Sequence, residues 1–339
     1  MPKTSKLGLS TAALLVASFT GQAFAEEVNV YSNRQDFLIK PIVDSFTEET
    51  GIDVNVVFMK NGMGERLERE GRLSPADVVL TVDVSRLMDV VDKDLTQAVE
   101  SDILEENIPA QYRDADGKWF AVTTRARAIY SSKDRVGKRD DITYEELADP
   151  KYQGKICTRS GKHPYNVALT ASMIDEHGVE YTKTWLEGLK ANLARKPQGG
   201  DRDQIKAIND GVCDYALGNS YYYGVMLSDE KQRDAAEAVY INFPNQEDRG
   251  THVNISAVAL TKHAKNKESA VKFMEFLASD EAQHLYSSAN HEYPVKPGAD
   301  ASELVSSWGD FDADTRPLAD VAKHAKTAVE LVDEVQYDL

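Results

Sequence analysis

Hydrophobic and polar positions along this chain follow two periods in turn. Short apolar or alternating runs of strand type are separated by segments whose apolar residues recur every three or four positions, as on one face of a helix. A strand pattern at 27–31 is followed by a helical pattern at 36–50, which ends at Gly51, and by a strand pattern at 52–58. Strand–helix alternation of this kind predicts an α/β lobe with a mainly parallel sheet.

Two longer extended runs, at 119–130 and 253–260, interrupt this alternation. The first leaves the opening lobe for a second set of strands and helices, and the other returns the chain. The predicted fold is therefore a two-lobed α/β clamshell with two extended hinge crossovers and a cleft between the lobes. We expect a first lobe of residues 26–124 plus 255–300 and a second of residues 125–254 plus 301–339, since one core seldom serves a chain this long.

The N-terminal segment is expected to be a signal peptide. Lys3 and Lys6 precede a short apolar run at 7–19, and small residues lead up to Ala25. This pattern predicts cleavage near Ala25, so that residues 1–25 are absent from an exported, periplasmic protein.

The charge balance limits the possible partners. Removing Lys3 and Lys6 with the signal peptide takes the formal net charge from −17 to −19. So acidic a chain is a poor match for nucleic acid, which is not expected as a partner.

The chain has two cysteines, Cys157 and Cys213. In an exported protein such a pair most often forms one disulfide. Two separate buried thiols remain the alternative. A thiolate metal site fits the sequence less well, because two cysteines without a nearby pair of histidines do not supply enough ligands.

A run of three tyrosines between glycines, at 218–224, is unusual for a core segment. A strand pattern at 213–217 precedes it, residues 218–219 resemble a turn, and Ser220 is a good N-cap for a helix. Phenol groups would then stand on the first turn of a helix at the carboxyl end of a strand, where open α/β sheets bind ligands. A tyrosine-rich helix start that only packs on a neighbour is the alternative.

Tyr165 repeats this arrangement of strand end, loop and first helical turn. If Cys157 and Cys213 pair, the two strands lie close together, and Tyr165, Tyr221 and Tyr222 could converge. Three phenolates suit Fe³⁺, a hard and highly charged ion that prefers anionic oxygen ligands. The sequence contains no His-x-x-x-His pattern, which would have pointed to a softer metal such as Zn²⁺.

Arg125 and Arg127 lie on the first crossover, where the floor of the cleft is expected. Two positions apart on a strand, they face the same side. An arginine there could hold a small anion such as carbonate beside the metal. An ordinary ion pair with one of the many acidic residues is the alternative.

Several segments together resemble the periplasmic ferric-ion-binding proteins of iron(III) ABC transporters. They are Val30-Tyr-Ser-Asn-Arg-Gln35, Ser74-Pro-Ala-Asp-Val78, Arg125-Ala-Arg127, Gly154-Lys-Ile-Cys-Thr-Arg-Ser160 and Gly218-Asn-Ser-Tyr-Tyr222. The resemblance implies a type II periplasmic-binding fold, with Tyr165, Tyr221 and Tyr222 as iron ligands and Arg125 beside a carbonate or bicarbonate anion. It also implies a monomer that delivers Fe³⁺ to an ABC permease in the inner membrane.

The sequence departs from part of that family in its first lobe. Some members supply a histidine from the loop after the first strand, or a glutamate from a later loop, where this chain has Gln35 and Asp83. It therefore resembles the tyrosine-only branch, and we expect Gln35 and Arg127 to support the bound anion or the ligands without touching the metal. His163 and His252 are the histidines nearest the predicted cleft, and we expect a capping or surface role for each.

Two other functions are consistent with the residues. An aromatic cleft also suits a polyamine, thiamine or another organic ligand. An exported enzyme that uses tyrosine chemistry would need a base or paired carboxylates, and the tyrosine run contains neither histidine nor glutamate. We therefore predict a binding protein and not an enzyme.

Overall fold

A computed structural model describes residues 26–339, so the predicted signal peptide lies outside the described residues. The strands are β1 Glu27–Ser32, β2 Asp53–Phe58, β3 Val78–Thr81, β4 Thr96–Gln97, β5 Phe120–Ser132, β6 Ile156–Cys157, β7 Tyr215–Asn219, β8 Val239–Asn242, β9 Val253–Thr261 and β10 Tyr293–Pro294. The α-helices are α1 Asp36–Thr50, α2 Met63–Glu70, α3 Val84–Val91, α4 Asp102–Asn107, α5 Pro164–His177, α6 Val179–Ala191, α7 Asp201–Asn209, α8 Ser220–Leu227, α9 Arg233–Glu237, α10 Lys267–Leu277, α11 Asp280–Asn290, α12 Glu303–Ser306, α13 Leu318–Lys323 and α14 Ala325–Glu334.

The strands form one curled sheet whose main path runs β2-β1-β3-β9-β5-β7-β6. Strand β1 is parallel to β2 and β3, whereas β9 is antiparallel to β3, β4 and β5. The prediction of a mainly parallel sheet in the first lobe is therefore only half right. The returning strand β9 enters that sheet in the opposite direction, which makes the sheet mixed.

Strand β5 connects the two halves of the sheet. Its first half pairs with β9, from Phe120 opposite Val258 to Ala126 opposite Val253. Its second half pairs with β7, from Arg127 opposite Asn219 onward. Both long strands are buried along their whole length, so each passes through the core between the two halves. They are the two extended crossovers predicted from the sequence.

Buried apolar side chains form three groups. One gathers residues 28–122 and 255–295 together with Leu318. The other two draw on residues between 126 and 337, and they lie on opposite faces of β5 and β7, since alternate strand residues such as Ala216 and Leu217 belong to different groups. The exact lobe boundaries stay a prediction, because α13 joins two groups: Leu318 packs in the first and Val321 in the second.

A disulfide joins Cys157 to Cys213, as predicted, and no free cysteine remains in residues 26–339. Cys157 ends β6, and Cys213 lies just before β7, the strand that runs parallel to β6. The bond therefore ties together the two strands that lead towards α5 and α8. Among the described helices, none has the length and apolar composition needed to cross a membrane.

Candidate metal site

Helix α8 begins directly at the end of β7. The predicted turn at residues 218–219 and the predicted Ser220 cap are both wrong, because β7 continues through Asn219 and Ser220 is already helical. Ser220 Oγ instead accepts a hydrogen bond from the backbone N–H of Ala126 at 3.2 Å, and Asn219 Oδ1 accepts one from Arg127 at 3.0 Å. Both side chains therefore fix the start of α8 to the hinge strand β5.

Helix α5 places Tyr165 in its first turn, as the position of Pro164 predicts. His163 is confirmed as the cap: its Nδ1 accepts a hydrogen bond from the Tyr165 backbone N–H at 3.3 Å. Burial, followed by the charge of Arg159, lowers the pKa of His163 to about 4. The imidazole is thus neutral at physiological pH and able to accept that bond.

The phenol groups of the two helices meet. The hydroxyl oxygens of Tyr165 and Tyr221 lie 2.9 Å apart, and the ring centres of Tyr221 and Tyr222 are 4.2 Å apart. All three side chains are half-buried, which leaves them accessible. Tyr223 instead packs its ring 5.9 Å from that of Tyr130, in the core. The structure thus gathers the three predicted tyrosines and separates the fourth from them.

The phenols of Tyr221 and Tyr222 hold their protons tightly, because the pKa of each is raised. Burial, and then the neighbouring Tyr165 and Tyr222, raise the pKa of Tyr221 well above its ordinary value, while Arg125 acts in the opposite direction. Burial and Tyr165 raise the pKa of Tyr222 to about 12. Adjacent phenolates would repel one another in this site, so an added cation is required to deprotonate them together.

Arg125 lies beside this group. It lines a small cavity together with Tyr165, and its Nη1 donates a hydrogen bond to Ser256 Oγ at 3.0 Å. The same Ser256 oxygen accepts a hydrogen bond from Arg34 Nη2 at 2.6 Å, and that nitrogen also donates to Glu292 Oε2 at 2.7 Å. Two buried arginines therefore converge near the tyrosines.

Sequence reasoning missed Arg34 and Glu292. Arg34 stands in the loop after β1, next to the Gln35 that the sequence singled out. An arginine at the carboxyl end of a core strand was the available signal. Glu292 offered no local signal, because its partners are far away in sequence.

Arg127 makes a different set of contacts from those of Arg125. Its Nη1 donates to Asp201 at 2.7 Å and to Asn219 at 3.0 Å, and its Nη2 donates to Asn166 at 2.6 Å. Asn166 is on α5 and Asn219 precedes α8. Arg127 therefore fixes the two tyrosine-bearing helices relative to each other, and its ion pair with Asp201 matches the alternative considered for these arginines.

Comparison with known proteins identifies the family. Residues 41–313 match the family model described as bacterial extracellular solute-binding protein. The chain belongs to this family. The curated "Iron uptake protein A1" of Synechocystis sp. is 44% identical, with 91% of this chain and 87% of the relative covered.

Solved structures of the family are also similar. An open-conformation crystal structure of Mannheimia haemolytica ferric iron-binding protein A has a TM-score of 0.89 at 57% identity, covering 93% of this chain and all of the other. A Trichodesmium protein in complex with iron and citrate ligands has a TM-score of 0.88 at 39% identity, covering 92% of this chain and 99% of the other. The predicted two-lobed type II substrate-binding fold and the resemblance to ferric-binding proteins are thereby confirmed. The relatives are iron-binding transport proteins, some of them periplasmic, and not enzymes.

In this member of the family, three further polar residues predicted near the cleft, Gln35, Asp83 and His252, take different positions. Gln35 is exposed at the N-terminus of α1, and Asp83 caps α3 by accepting a hydrogen bond from the Arg86 backbone N–H at 3.0 Å. The capping or surface role expected for His252 is wrong, because His252 is buried beside β5 and lines the same small cavity as Arg125 and Tyr165. Burial lowers the pKa of His252 to about 3. Across residues 26–339, no group of three or more His, Cys, Asp or Glu side chains could hold a metal.

Proposed function

We propose that this protein binds Fe³⁺ in the cleft between its lobes through the phenolates of Tyr165, Tyr221 and Tyr222. The observation that carries the proposal is the 2.9 Å approach of two phenol oxygens from the first turns of α5 and α8, with Tyr222 next to them. Relatives described as ferric iron-binding proteins support the choice of metal.

The chemistry of the donors fits a trivalent ion. Fe³⁺ is a strong Lewis acid that displaces phenol protons at neutral pH, and three phenolates neutralise its charge. The two helix N-termini add positive dipole ends that favour phenolate over phenol. Three phenolates match the charge of a trivalent ion by themselves, which they would not do for a divalent ion, so the set of three favours Fe³⁺.

A small anion completes the proposed site. Arg125 lines a cavity with Tyr165, and the charge of Arg34 interacts with Tyr221. We propose that these two arginines hold carbonate or bicarbonate against the metal. A related structure contains iron with citrate, so a carboxylate is a second candidate for this position. With no histidine or glutamate ligand assigned to the first lobe, the chain would follow the tyrosine-only pattern, and Gln35 would approach the anion only when the lobes close.

The biological role follows from the family. We propose that the chain is exported, is cleaved near Ala25 and acts as a periplasmic monomer. Its lobes, residues 26–124 plus 255–300 and 125–254 plus 301–339, would close over the ion. The closed form would then deliver Fe³⁺ to an ABC permease in the inner membrane.

Replacing one phenol tests the ligand assignment. Tyr222→Phe should weaken iron binding by more than the roughly 10- to 100-fold that loss of an outer-shell partner costs, because a direct ligand is removed. Equilibrium dialysis of apo-protein against ferric nitrilotriacetate measures this change. Tyr223→Phe is the matched control, since Tyr223 packs against Tyr130, and it should bind as the wild type does. Equal binding by Tyr222→Phe and the wild type would refute the assignment.

A further inference from the structure

A buried carboxylate, that of Glu292, lies next to the arginines of the site. Burying a charged side chain costs more free energy than burying an apolar one, so this carboxylate calls for an explanation. Glu292 follows α11 and is 5% exposed. Its Oε2 accepts hydrogen bonds from Arg34 Nη2 at 2.7 Å and from Thr123 Oγ1 at 2.6 Å, and its Oε1 lies 3.9 Å from Arg125 Nη1. One negative charge is therefore held between two buried positive charges.

This carboxylate is ionised at neutral pH. Burial alone would raise its pKa, but Arg34 and then Arg125 outweigh burial, and the net shift of the Glu292 pKa is downward. Two arginines and one glutamate leave a single uncompensated positive charge in the cluster. That charge acts on the phenols, since Arg125 opposes the upward shift of the Tyr221 pKa.

The net charge of this cluster determines which anion the site can hold. Fe³⁺ with three phenolates is neutral, so the charge of an accompanying anion is balanced by the charged side chains around the site. These are the Arg34, Arg125 and Glu292 cluster and a second cluster in which Arg127 and Arg159 share Asp201. A buried charge that stays unbalanced is costly, because the protein interior screens it far less than water does. Each positive charge near the anion favours a dianion and each negative charge favours a monoanion, so the Glu292 carboxylate moves the preference of the site by one charge towards a monoanion.

We propose that Glu292 is a specificity-determining residue that makes the site prefer a monoanion over a dianion of the same shape. The proposal rests on the proposed function, because it concerns the anion that accompanies iron at the tyrosines. It deepens that function, because it assigns the choice of anion charge to Glu292, a residue that is not a metal ligand. A purely structural role for Glu292 would need only its hydrogen bonds, which a glutamine largely preserves.

Oxalate and oxamate test this proposal, because they have nearly the same shape and differ by one charge. Apo-protein in bicarbonate-free buffer receives freshly oxidised iron and increasing amounts of either anion, and the tyrosinate-to-iron absorption band gives each half-saturation concentration. Relative to wild type, Glu292→Gln should shift the ratio of the two towards oxalate by about tenfold or more, since one nearby charge acts through a low effective dielectric. Arg34→Gln removes a positive charge and should shift it towards oxamate.

The double variant Arg34→Gln, Glu292→Gln decides between charge and shape. It restores a single positive charge, so its ratio should return to within about twofold of wild type, although both side chains have changed. Replacing both partners of a buried ion pair is also better tolerated than removing one, so this variant keeps the test open if a single variant does not fold. Its ratio overturns the proposal if it departs from wild type by as much as either single variant does.

A matched control and the wild-type protein separate the possible failures. Glu145→Gln removes a half-buried carboxylate that pairs with Arg249 away from the site, and it should leave the ratio unchanged. Unchanged ratios in both single variants, with a normal iron band, would overturn this proposal alone. Absence of the band in wild type would overturn the proposed function and this inference with it.

Discussion

Gly224 stands where the tyrosine helix meets the residue that follows α11. A Cβ atom at Gly224 would lie 2.5 Å from His291 Cγ, 2.7 Å from His291 Cβ and 2.9 Å from His291 Cδ2. Ordinary contacts begin near 3.4 Å. Gly224→Ala therefore forces α8 and His291 apart, and α8 carries Tyr221 and Tyr222 one turn earlier.

Two opposing free-energy contributions decide how Gly224→Ala changes the stability of the protein. Overpacking a well-packed contact costs roughly 1–3 kcal/mol. Replacing glycine by alanine inside a helix is worth about 1 kcal/mol in the other direction. The difference is a decrease in the free energy of unfolding of up to about 2 kcal/mol. We expect a value near that upper end, because the atoms that clash include His291 Cβ, which side-chain rotation cannot move away.

His291→Gly supplies the control background. It removes the atoms that clash, and glycine is suited to the left-handed φ of 57° at this position. In the His291→Gly background no clash remains, and only the higher helix propensity of alanine acts. Gly224→Ala should therefore stabilise the protein by up to about 1 kcal/mol. Urea denaturation of the iron-free wild type, the two single variants and the double variant measures the coupling free energy between positions 224 and 291. Equal effects of Gly224→Ala in both backgrounds would refute the reasoning.

Two further predictions follow from the disulfide and the phenols. Replacing Cys157 and Cys213 by serine should lower the free energy of unfolding by about 4 kcal/mol, because the disulfide closes a span of 56 residues. Urea denaturation of this variant and of the oxidised wild type measures the difference, and a loss under about 1 kcal/mol would contradict the prediction. Iron affinity should fall as pH falls, because the raised pKa values of Tyr221 and Tyr222 mean that each ligand releases a proton on binding. Dialysis should show up to about a thousandfold loss per pH unit for three protons, and pH-independent affinity would argue against phenolate ligands.

Local patterns predicted much of the fold. The helix expected at 36–50 is α1, and Gly51 has the left-handed φ of 72° that a C-cap glycine adopts. The long extended run at 119–130 corresponds closely to β5. These features depend on residues adjacent in the chain, or on apolar periodicity over a few turns, so the sequence contains their signal.

Long-range contacts account for the errors and omissions. Ser220 has the composition of a helix cap, but its hydroxyl accepts a hydrogen bond from Ala126, 94 positions away. Glu292 meets Arg34 across 258 positions, so no local pattern could bring them together. The tyrosines were found because their residue type is rare in such a setting, whereas a buried ion cluster is visible only once the chain is folded.

A visible absorption titration of the purified mature protein with ferric citrate, in the presence of bicarbonate, tests the central claim most directly. The account predicts a saturable red-brown tyrosinate-to-iron band that reaches its maximum at one iron per chain. Addition of iron without any such band would contradict a phenolate site, and an organic cation such as a polyamine or thiamine would then be the next ligand to test.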